Sequence, residues 1–394
     1  YDPPDRQLFG FGEYLALHLT ALSPSLWPAE VPDDLQRYHR SLKRVRRALA
    51  NTAFYNVFDD HEVTDDWYLT EAWAKRVLAA PLGRRMIANG LTAFALVHAW
   101  GNTPEHFEAG KVGSRILAAV AKRLPPDASL EACLGMPATV DGDLSPPAGA
   151  LPWHFRLQTP VVDLRTLDTR TMRAFPQDDE HGLPDLLSAR ALAEQLADLQ
   201  GLPVLVVPSP MAPPPRTDTE RFLVQVLGLV KGLPPIVRKV YRPDRGDDWQ
   251  PTSELFEQIM QILPERWVCL GGDTHLAYAA EVQHSKGRGA IFCSSGMQRE
   301  KRLRLMRQRI GFGFPWPVPR RPAVRTASMV MQYLQSEMTE EGKRLDYVSR
   351  NNIGRLRFES QEVGIAAIHR LWWRKPSGEL TSATHRVSLE LEES

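Results

Sequence analysis

The sequence predicts an α/β domain built on mixed or parallel β-sheets. Helical patterns alternate with short apolar runs, which is the order of elements in such domains. The run at 203–207 is continuously apolar, as in a strand that is covered on both faces. A helix that begins after Ser253 and ends at Pro264 is followed directly by a second apolar run at 267–270.

The N-terminal part of the chain predicts two helical regions separated by a strand. Apolar residues recur on one helical face over roughly 33–51, and a second helical pattern covers about 70–100, interrupted by Pro81. The segment 53–58 between them is apolar and aromatic, which predicts a buried strand. A loop-rich stretch with several Pro and Gly residues follows at about 123–152.

Further elements are predicted toward the C-terminus. The pattern indicates a strand at 159–165 that continues into 167–173, and a helix at about 184–200. Two strands, 368–374 and 379–391, flank a turn and are expected to join a sheet of the main domain. We predict a single domain over residues 1–394, with a strand-rich segment from about 340 to the end.

Charge and composition limit the classes of function. The chain has 48 basic and 47 acidic residues, a net charge of +1, so there is no global attraction to nucleic acid or to an anionic membrane. Any anionic substrate must therefore be held by local charge. A basic stripe in the first helix, which includes Arg40 and Arg44, is interpreted as a solvated face rather than a nucleic-acid surface.

The three cysteines, Cys133, Cys269 and Cys293, are odd in number and widely spaced, which argues against a disulfide framework and favours a reducing compartment. No apolar run approaches the ~18 residues of a membrane span.

The chain opens without Met and without an apolar signal segment, so we expect either processing or a piece of a longer protein. A cytoplasmic location is expected, with export as the alternative. The oligomeric state stays open.

The most informative motif is Asp-Asp-His-Glu at 59–62, which follows the predicted strand. Three carboxylates packed beside an imidazole would repel one another through their negative charges. A bound cation would remove this electrostatic repulsion. Carboxylate oxygen and imidazole nitrogen suit Mn, Fe and Zn, and oxygen-rich positions also suit Ca. A surface loop with helix-capping acids is the competing interpretation.

A second acidic motif, Gly-Asp-Thr-His at 272–275, follows the predicted strand at 267–270. Asp273 and His275 are two residues apart, so both side chains project to one side of an extended backbone. An ordinary turn would explain this motif alone. The presence of two such motifs, each after a predicted strand, favours one shared metal centre at the strand ends.

Both motifs, in their wider context, resemble a known family. The segments 58–67 and 272–280 are similar to signatures of the phosphatase D family of alkaline phosphatases, and 167–171 is similar to that family's arginine segment. Asp248-Trp249 and the Ser-Ser-Gly at 294–296 also stand in the expected order. This family belongs to the calcineurin-like metallophosphoesterases, whose fold is two packed mixed β-sheets flanked by helices.

The resemblance implies a hydrolase of phosphomonoesters or phosphodiesters that uses two metal ions and a metal-activated water. It places Asp60, Asp273 and His275 among the metal ligands. It places His61 facing the substrate, where it would protonate the leaving oxygen or act as a cationic contact to the phosphate. Arg170 would grip phosphate oxygens, and its pairing with Asp168 or another acid is the alternative. The expected substrate is a small phosphate ester, with no nucleic-acid partner indicated.

The family pattern also includes an upstream Asp motif and a Gly-Asp motif that are not found before the basic helix. We therefore expect a chain that lacks the N-terminal strands of that fold. The alternative function is a non-catalytic binding or interaction protein that keeps the fold without the first metal motifs.

Overall fold

The structure is a computed structural model, and it is described for residues 8–64, 67–123, 125–177, 184–212, 249, 253–274, 276–294, 324–345, 347–348, 351–375 and 377–390. These residues form two compact units. The helical unit contains the described residues up to Phe155 together with Asp168–Ala191. The sheet unit contains Arg156–Leu167 and the described residues from Leu192 onward.

The helical unit begins with a helical hairpin and continues through shorter helices. Its helices are α1 (Phe11–Leu22), α2 (Gln36–Leu49), α3 (Glu71–Ala79), α4 (Pro81–Phe94), α5 (Trp100–Asn102), α6 (Val112–Ala121) and α7 (Ala128–Cys133). A π-helical turn, Ala95–Ala99, connects α4 to α5, and 3₁₀ turns lie at Pro24–Leu26, Asp60–Glu62 and Pro104–Phe107. The predicted break at Pro81 is confirmed, because this proline occupies the first turn of α4, where its missing N–H is not needed.

An aromatic cluster forms the centre of the helical unit. The ring of Phe58 stacks on Trp153 with centroids 4.9 Å apart, and it contacts Phe94 edge-on at 5.0 Å and Trp67 edge-on at 5.4 Å. Offset and edge-to-face contacts of this kind add to the burial of large apolar rings. Since Phe58 immediately precedes the acidic motif, the start of that motif is held by the core.

The sheet unit contains two sheets and its own helical segments. One sheet has eight strands in the order β1-β2-β3-β4-β6-β5-β8-β7, and the other has three in the order β11-β10-β9. The first eight strands are β1 (Phe155–Gln158), β2 (Val162–Thr166), β3 (Leu202–Val206), β4 (Arg266–Gly271), β5 (Tyr278–His284), β6 (Gly287–Cys293), β7 (Val324–Arg325) and β8 (Met329–Leu334). The remaining strands are β9 (Asn352–Gln361), β10 (Gly364–Arg374) and β11 (Leu380–Leu389), and the helices are α8 (Ala189–Gln195), which starts in the helical unit, and α9 (Glu254–Ile262).

The larger sheet is mixed. Strands β2, β3, β4 and β6 pair in parallel, whereas β5 pairs antiparallel with β6 and β8. Apolar side chains of this sheet, such as Val268 and Phe292, pack with Ala367 and Val387 of the three-stranded sheet in one buried cluster. The predicted α/β fold with two packed sheets is therefore confirmed, although the smaller sheet is antiparallel.

One strand prediction was wrong. The segment 53–58 is not part of any strand, and the side chains of Phe54 and Tyr55 are exposed. The backbone N–H and carbonyl of Asn56 bond to the side chain of Asn102 at 3.1 and 2.7 Å rather than to a neighbouring strand. An amide side chain thus satisfies the backbone that a sheet partner would otherwise satisfy.

Other boundaries also differ from the predictions. The loop-rich stretch 123–152 contains the short helix α7, and the helix expected at 184–200 is reduced to α8. The strand β2 ends at Thr166, because the side chain of Asp168 accepts the backbone N–H groups of the following residues and forms a turn. The C-terminal strands were predicted to join a sheet of the main domain, and they form a separate three-stranded sheet with β9.

The observed bounds of helix α9 and strand β4 agree closely with those predicted from the sequence, and the prediction for β3 is also confirmed. The Ser253 hydroxyl accepts the N–H of Phe256 at 3.2 Å, as an N-cap does. Strand β3 is covered on both faces, as its continuous apolar run predicted.

Across the described residues, no helix has both the length and the apolar character needed to cross a membrane.

Two buried histidines face each other in the three-stranded sheet. His369 of β10 is opposite His385 of β11, with ring centroids 6.3 Å apart, and both side chains are almost fully buried. The His369 Nε2 atom lies 3.2 Å from the Ser294 hydroxyl. Burial lowers the pKa of His369 to about 3, with a further contribution from His385, and lowers the pKa of His385 to about 4.

These pKa values predict how stability depends on pH. Because the folded state binds protons more weakly than the unfolded state, the free energy of unfolding is highest above the ordinary histidine pKa of ~6.5. It decreases as the pH falls below that value, by up to ~1.4 kcal/mol per pH unit for each histidine, until the folded pKa values are passed. Between neutral and acidic pH, urea unfolding of a His385→Leu variant should show a weaker pH dependence than the wild type, by up to ~1.4 kcal/mol per pH unit.

A His106→Gln variant in a half-exposed 3₁₀ turn is the control and should keep the full dependence. An unchanged pH dependence in His385→Leu would contradict the assignment to the buried pair.

Candidate metal centre

The acidic motif is a compact 3₁₀ turn rather than the end of a strand. The carboxylate of Asp59 caps this turn by accepting the N–H of Asp60 at 2.9 Å. The carbonyl of Asp60 then accepts the N–H groups of Val63 and Thr64, both at 2.8 Å. The turn therefore gathers the side chains at 59–61 on a short backbone that is held by local hydrogen bonds.

Two helices of the same unit hold this turn. The Tyr14 hydroxyl of α1 donates a hydrogen bond to the Val63 carbonyl at 2.8 Å. Helix α4 approaches through Gly90, where a Cβ atom would lie 3.1 Å from the Glu62 carbonyl oxygen. A glycine at this position thus permits close contact between the helix and the acidic turn.

The side chains of Asp59, Asp60 and His61 could hold a metal ion together. One ligand atom from each lies within 4.8 Å of the others. Asp60 is buried, whereas His61 keeps 44% of its side-chain surface exposed. Two carboxylates and one imidazole are a donor set that suits Mn, Fe or Zn. The chemistry of these residues therefore fits a divalent cation that is reached from the exposed side of His61.

Arg170 supplies positive charge to the same cluster. Its Nε atom donates to the Asp59 carboxylate at 2.9 Å, and its Nη2 atom lies 3.4 Å from the Asp60 carboxylate. The Arg170 side chain is only 1% exposed. Of the two roles considered for this arginine, pairing with an acid describes its contacts in the structure, although the partner is Asp59 and not Asp168.

A tight turn in the same unit holds Arg170 in this position. The Asp168 carboxylate accepts the backbone N–H groups of Arg170 and Thr171 at 3.0 and 2.8 Å, and it also bonds the Thr171 hydroxyl. The fully buried Arg173 donates to the Thr169 carbonyl at 2.7 Å and to the Tyr68 carbonyl at 3.1 Å. The arginine segment is thus joined to the backbone that follows the acidic turn.

The carboxyl groups of the motif differ in their proton affinity. Burial raises the pKa of Asp59, although the charge of Arg170 opposes this shift. Burial would also raise the pKa of Asp60, but Arg170 and His61 together hold it well below its ordinary value. Burial and the nearby Asp59 raise the pKa of Glu62 to about 8. Neighbouring acids with diverging pKa values are a common feature of functional sites.

The ionised Asp60 also orients the imidazole. The His61 Nδ1 atom lies 2.9 Å from the Asp60 carboxylate oxygen, so the proton on Nδ1 is held between them. The Nε2 edge of the ring is then the position from which a proton can be given or taken.

The second motif lies in the sheet unit, directly after β4. Asp273 has a left-handed backbone with φ of 58°, which is uncommon for a residue with a side chain, and aspartate is one of the residues that adopt it most readily. The buried Cys293 thiol bonds the Leu276 carbonyl at 3.1 Å, and the Thr274 N–H bonds the Gly272 carbonyl at 2.6 Å. The loop is therefore closely held around Asp273.

The structure thus brings three of the predicted site residues together, namely Asp60, His61 and Arg170. Asp273 belongs to the other unit, and the shared metal centre stays a prediction. The remaining motif positions at 65–66, 248, 275 and 295–296, which include His275, lie outside the described residues. Sequence reasoning included Asp59 in the motif but gave it no role of its own, although an acid directly before a turn is a recognisable capping signal.

Comparison with known proteins gives limited information. No protein-family model matches the chain, and no curated protein matches it. A solved structure described as the structure of PhoD matches with a TM-score of 0.38 and 13% sequence identity, covering 90% of this chain. This chain spans 58% of the length of that protein. At this level of similarity, the match assigns neither a family nor an activity to the chain.

The ion pair of Arg170 predicts a specific coupling. An Arg170→Met variant should lower the free energy of unfolding by about 3–5 kcal/mol, because it leaves buried carboxylates without a cation. Adding Asp59→Asn should recover at least ~1 kcal/mol, since one of the unpaired charges is then removed. Urea unfolding of the single and double variants measures this coupling, and strictly additive losses would contradict it.

The glycine before the second motif gives another prediction. A Cβ atom at Gly271 would lie 2.5 Å from the Pro210 Cα atom, so Gly271→Ala must displace backbone and should cost about 1–3 kcal/mol in unfolding free energy. Gly12→Ala is the matched control, since its added Cβ meets nothing within 4 Å and lies in a helix. Thermal unfolding should show the control unchanged or slightly stabilised. Equal effects in the two variants would refute the steric explanation.

Proposed function

We propose that the protein is a metal-dependent phosphoesterase that hydrolyses phosphomonoesters, phosphodiesters or both. The observation that carries this proposal is the group of Asp59, Asp60 and His61, whose ligand atoms lie within 4.8 Å of one another beside the buried Arg170. Ionised carboxylates next to a half-exposed imidazole suit both cation binding and proton transfer.

The metal would be held by the carboxylates of the acidic turn. Asp60 is the better ligand, because Arg170 and His61 keep it ionised while it is almost fully buried. The donor set is compatible with Mn, Fe or Zn, and Ca is compatible with the oxygen ligands. A second ion at Asp273 and His275 is part of this proposal. Such ions stabilise negative charge on phosphoryl oxygens and lower the pKa of nearby water.

His61 is proposed as the proton donor to the leaving oxygen. Its exposed ring can meet a substrate from solvent, while its Nδ1 side is held by the Asp60 carboxylate at 2.9 Å. This carboxylate stabilises the protonated imidazole, which is the form that can donate from Nε2. A role as metal ligand is the alternative for His61, and the two roles differ in their effect on metal affinity.

Arg170 is proposed to position the acidic turn. Its guanidinium already bonds Asp59 and lies within 3.4 Å of Asp60, and its side chain is 1% exposed. A direct contact with phosphate, as predicted from the sequence, would require this buried side chain to become accessible. The partial neutralisation by Arg170 also reduces the repulsion that the two carboxylates would exert on each other.

Calorimetric titration with Mn²⁺ and Zn²⁺ and hydrolysis of chromogenic phosphate esters test these roles together. Asp60→Asn should remove one bound ion and abolish turnover. His61→Ala should bind metal normally but hydrolyse substrate about 10²–10⁴-fold more slowly, as expected for loss of general acid catalysis. Asp273→Ala should reduce the number of bound ions, because it removes a proposed ligand of the second ion.

His106→Ala is the control and should leave both measurements unchanged. Undiminished turnover in His61→Ala would contradict its catalytic role. Metal binding without turnover of any ester would instead favour the non-catalytic binding protein, and a wild-type protein that binds no metal would end the proposal.

A further inference from the structure

Helix α2 concentrates positive charge on an otherwise nearly neutral chain. Its 14 residues contain no acidic side chain. Six basic side chains project from it, and all six are exposed: Arg37, Arg40, Lys43, Arg44, Arg46 and Arg47. The opposite side of the helix carries apolar residues, of which Leu42 is buried.

These cations have no carboxylate partner among the described residues. Elsewhere on the described surface, some basic side chains do form such pairs, as Arg386 does with Glu359 at 3.0 Å and Arg288 with Glu281 at 3.0 Å. In α2, the Arg40 side chain bonds only a backbone carbonyl, that of Gln36. The positive charge of this helix therefore faces solvent without local compensation.

Such an arrangement is unfavourable for an isolated helix. Arg40 and Arg44 are four residues apart, as are Lys43 and Arg47, and like charges at this spacing repel. Packing of the apolar side stabilises the helix, since the ring centroids of Trp27 and Tyr38 are 5.9 Å apart and the Leu42 side chain is buried. A negatively charged surface would convert this repulsion into attraction.

Exposed apolar residues in the same helical hairpin favour one kind of anionic surface. Leu17 of α1, and Leu26 and Leu35 of the connection between the two helices, are all substantially exposed. Nucleic acid offers phosphates to the arginines but little that would bury such leucines. A lipid surface offers both anionic headgroups and an apolar layer beneath them.

We propose that the hairpin of α1 and α2 binds the surface of a membrane that contains anionic phospholipid. The α2 cations contact lipid phosphates and carboxylates, and the exposed leucines enter the boundary between headgroups and acyl chains. The hairpin lies wholly within the helical unit, and the proposal is independent of phosphoesterase activity. The proposed contact is with the membrane surface.

Co-sedimentation of the full chain with lipid vesicles tests this proposal. The wild type should sediment with vesicles of phosphatidylcholine mixed with phosphatidylserine, should not sediment with phosphatidylcholine alone, and should be released by salt. Each lost charge should weaken binding about fivefold, so a variant with Arg40→Gln, Arg44→Gln and Arg47→Gln should bind roughly 100-fold more weakly. A Leu26→Ser, Leu35→Ser variant should also bind more weakly.

The matched control removes three exposed charges of other helices, through Arg76→Gln, Arg85→Gln and Arg115→Gln. It should bind vesicles as the wild type does, and circular dichroism should show that all variants keep their helices. The proposal is overturned if the wild type does not sediment, if the control variant loses binding equally, or if the α2 cations bind duplex nucleic acid instead of vesicles.

Discussion

The candidate site depends on the ion pair between Arg170 and the two aspartates of the acidic turn. The Arg170 side chain is 1% exposed and lies beside two carboxylates. Its positive charge and their negative charges neutralise one another, because any one of these charges would be costly to bury alone. The pair joins residues that are 111 positions apart in the sequence. It therefore fixes both the local electrostatics and the path of the chain on either side of the turn.

The surroundings of this ion pair explain why the turn is so closely held. Phe58 anchors its first end in the aromatic cluster, and Tyr14 bonds the backbone at its other end. The Asp168 carboxylate shapes the backbone that presents Arg170. Rigid support of this kind is what a preorganised binding site requires, since ligand groups that must be ordered on binding reduce affinity.

The two acidic motifs are supported by different kinds of structure. The turn at 59–62 belongs to a helical unit and is held by aromatic packing and an arginine, whereas the loop at Asp273 extends from a parallel strand and is held by backbone and thiol hydrogen bonds. The second loop follows the common placement of ligand sites beyond the carboxyl ends of strands in α/β sheets. The first does not, although its residue types predicted the same chemistry.

The sequence alone determined the elements whose signals are local. The Ser253 cap and the continuous apolar run of β3 specify a helix and a covered strand through contacts with near neighbours, and the structure agrees. Residue chemistry also indicated a cation site at Asp60 and His61. Tertiary structure decided the features that depend on distant partners: the segment before the motif is not a strand because the Asn102 side chain bonds its backbone. In the same way, Arg170 contacts Asp59 because a turn more than a hundred residues away carries it there, and no periodicity or local propensity encodes such a pairing.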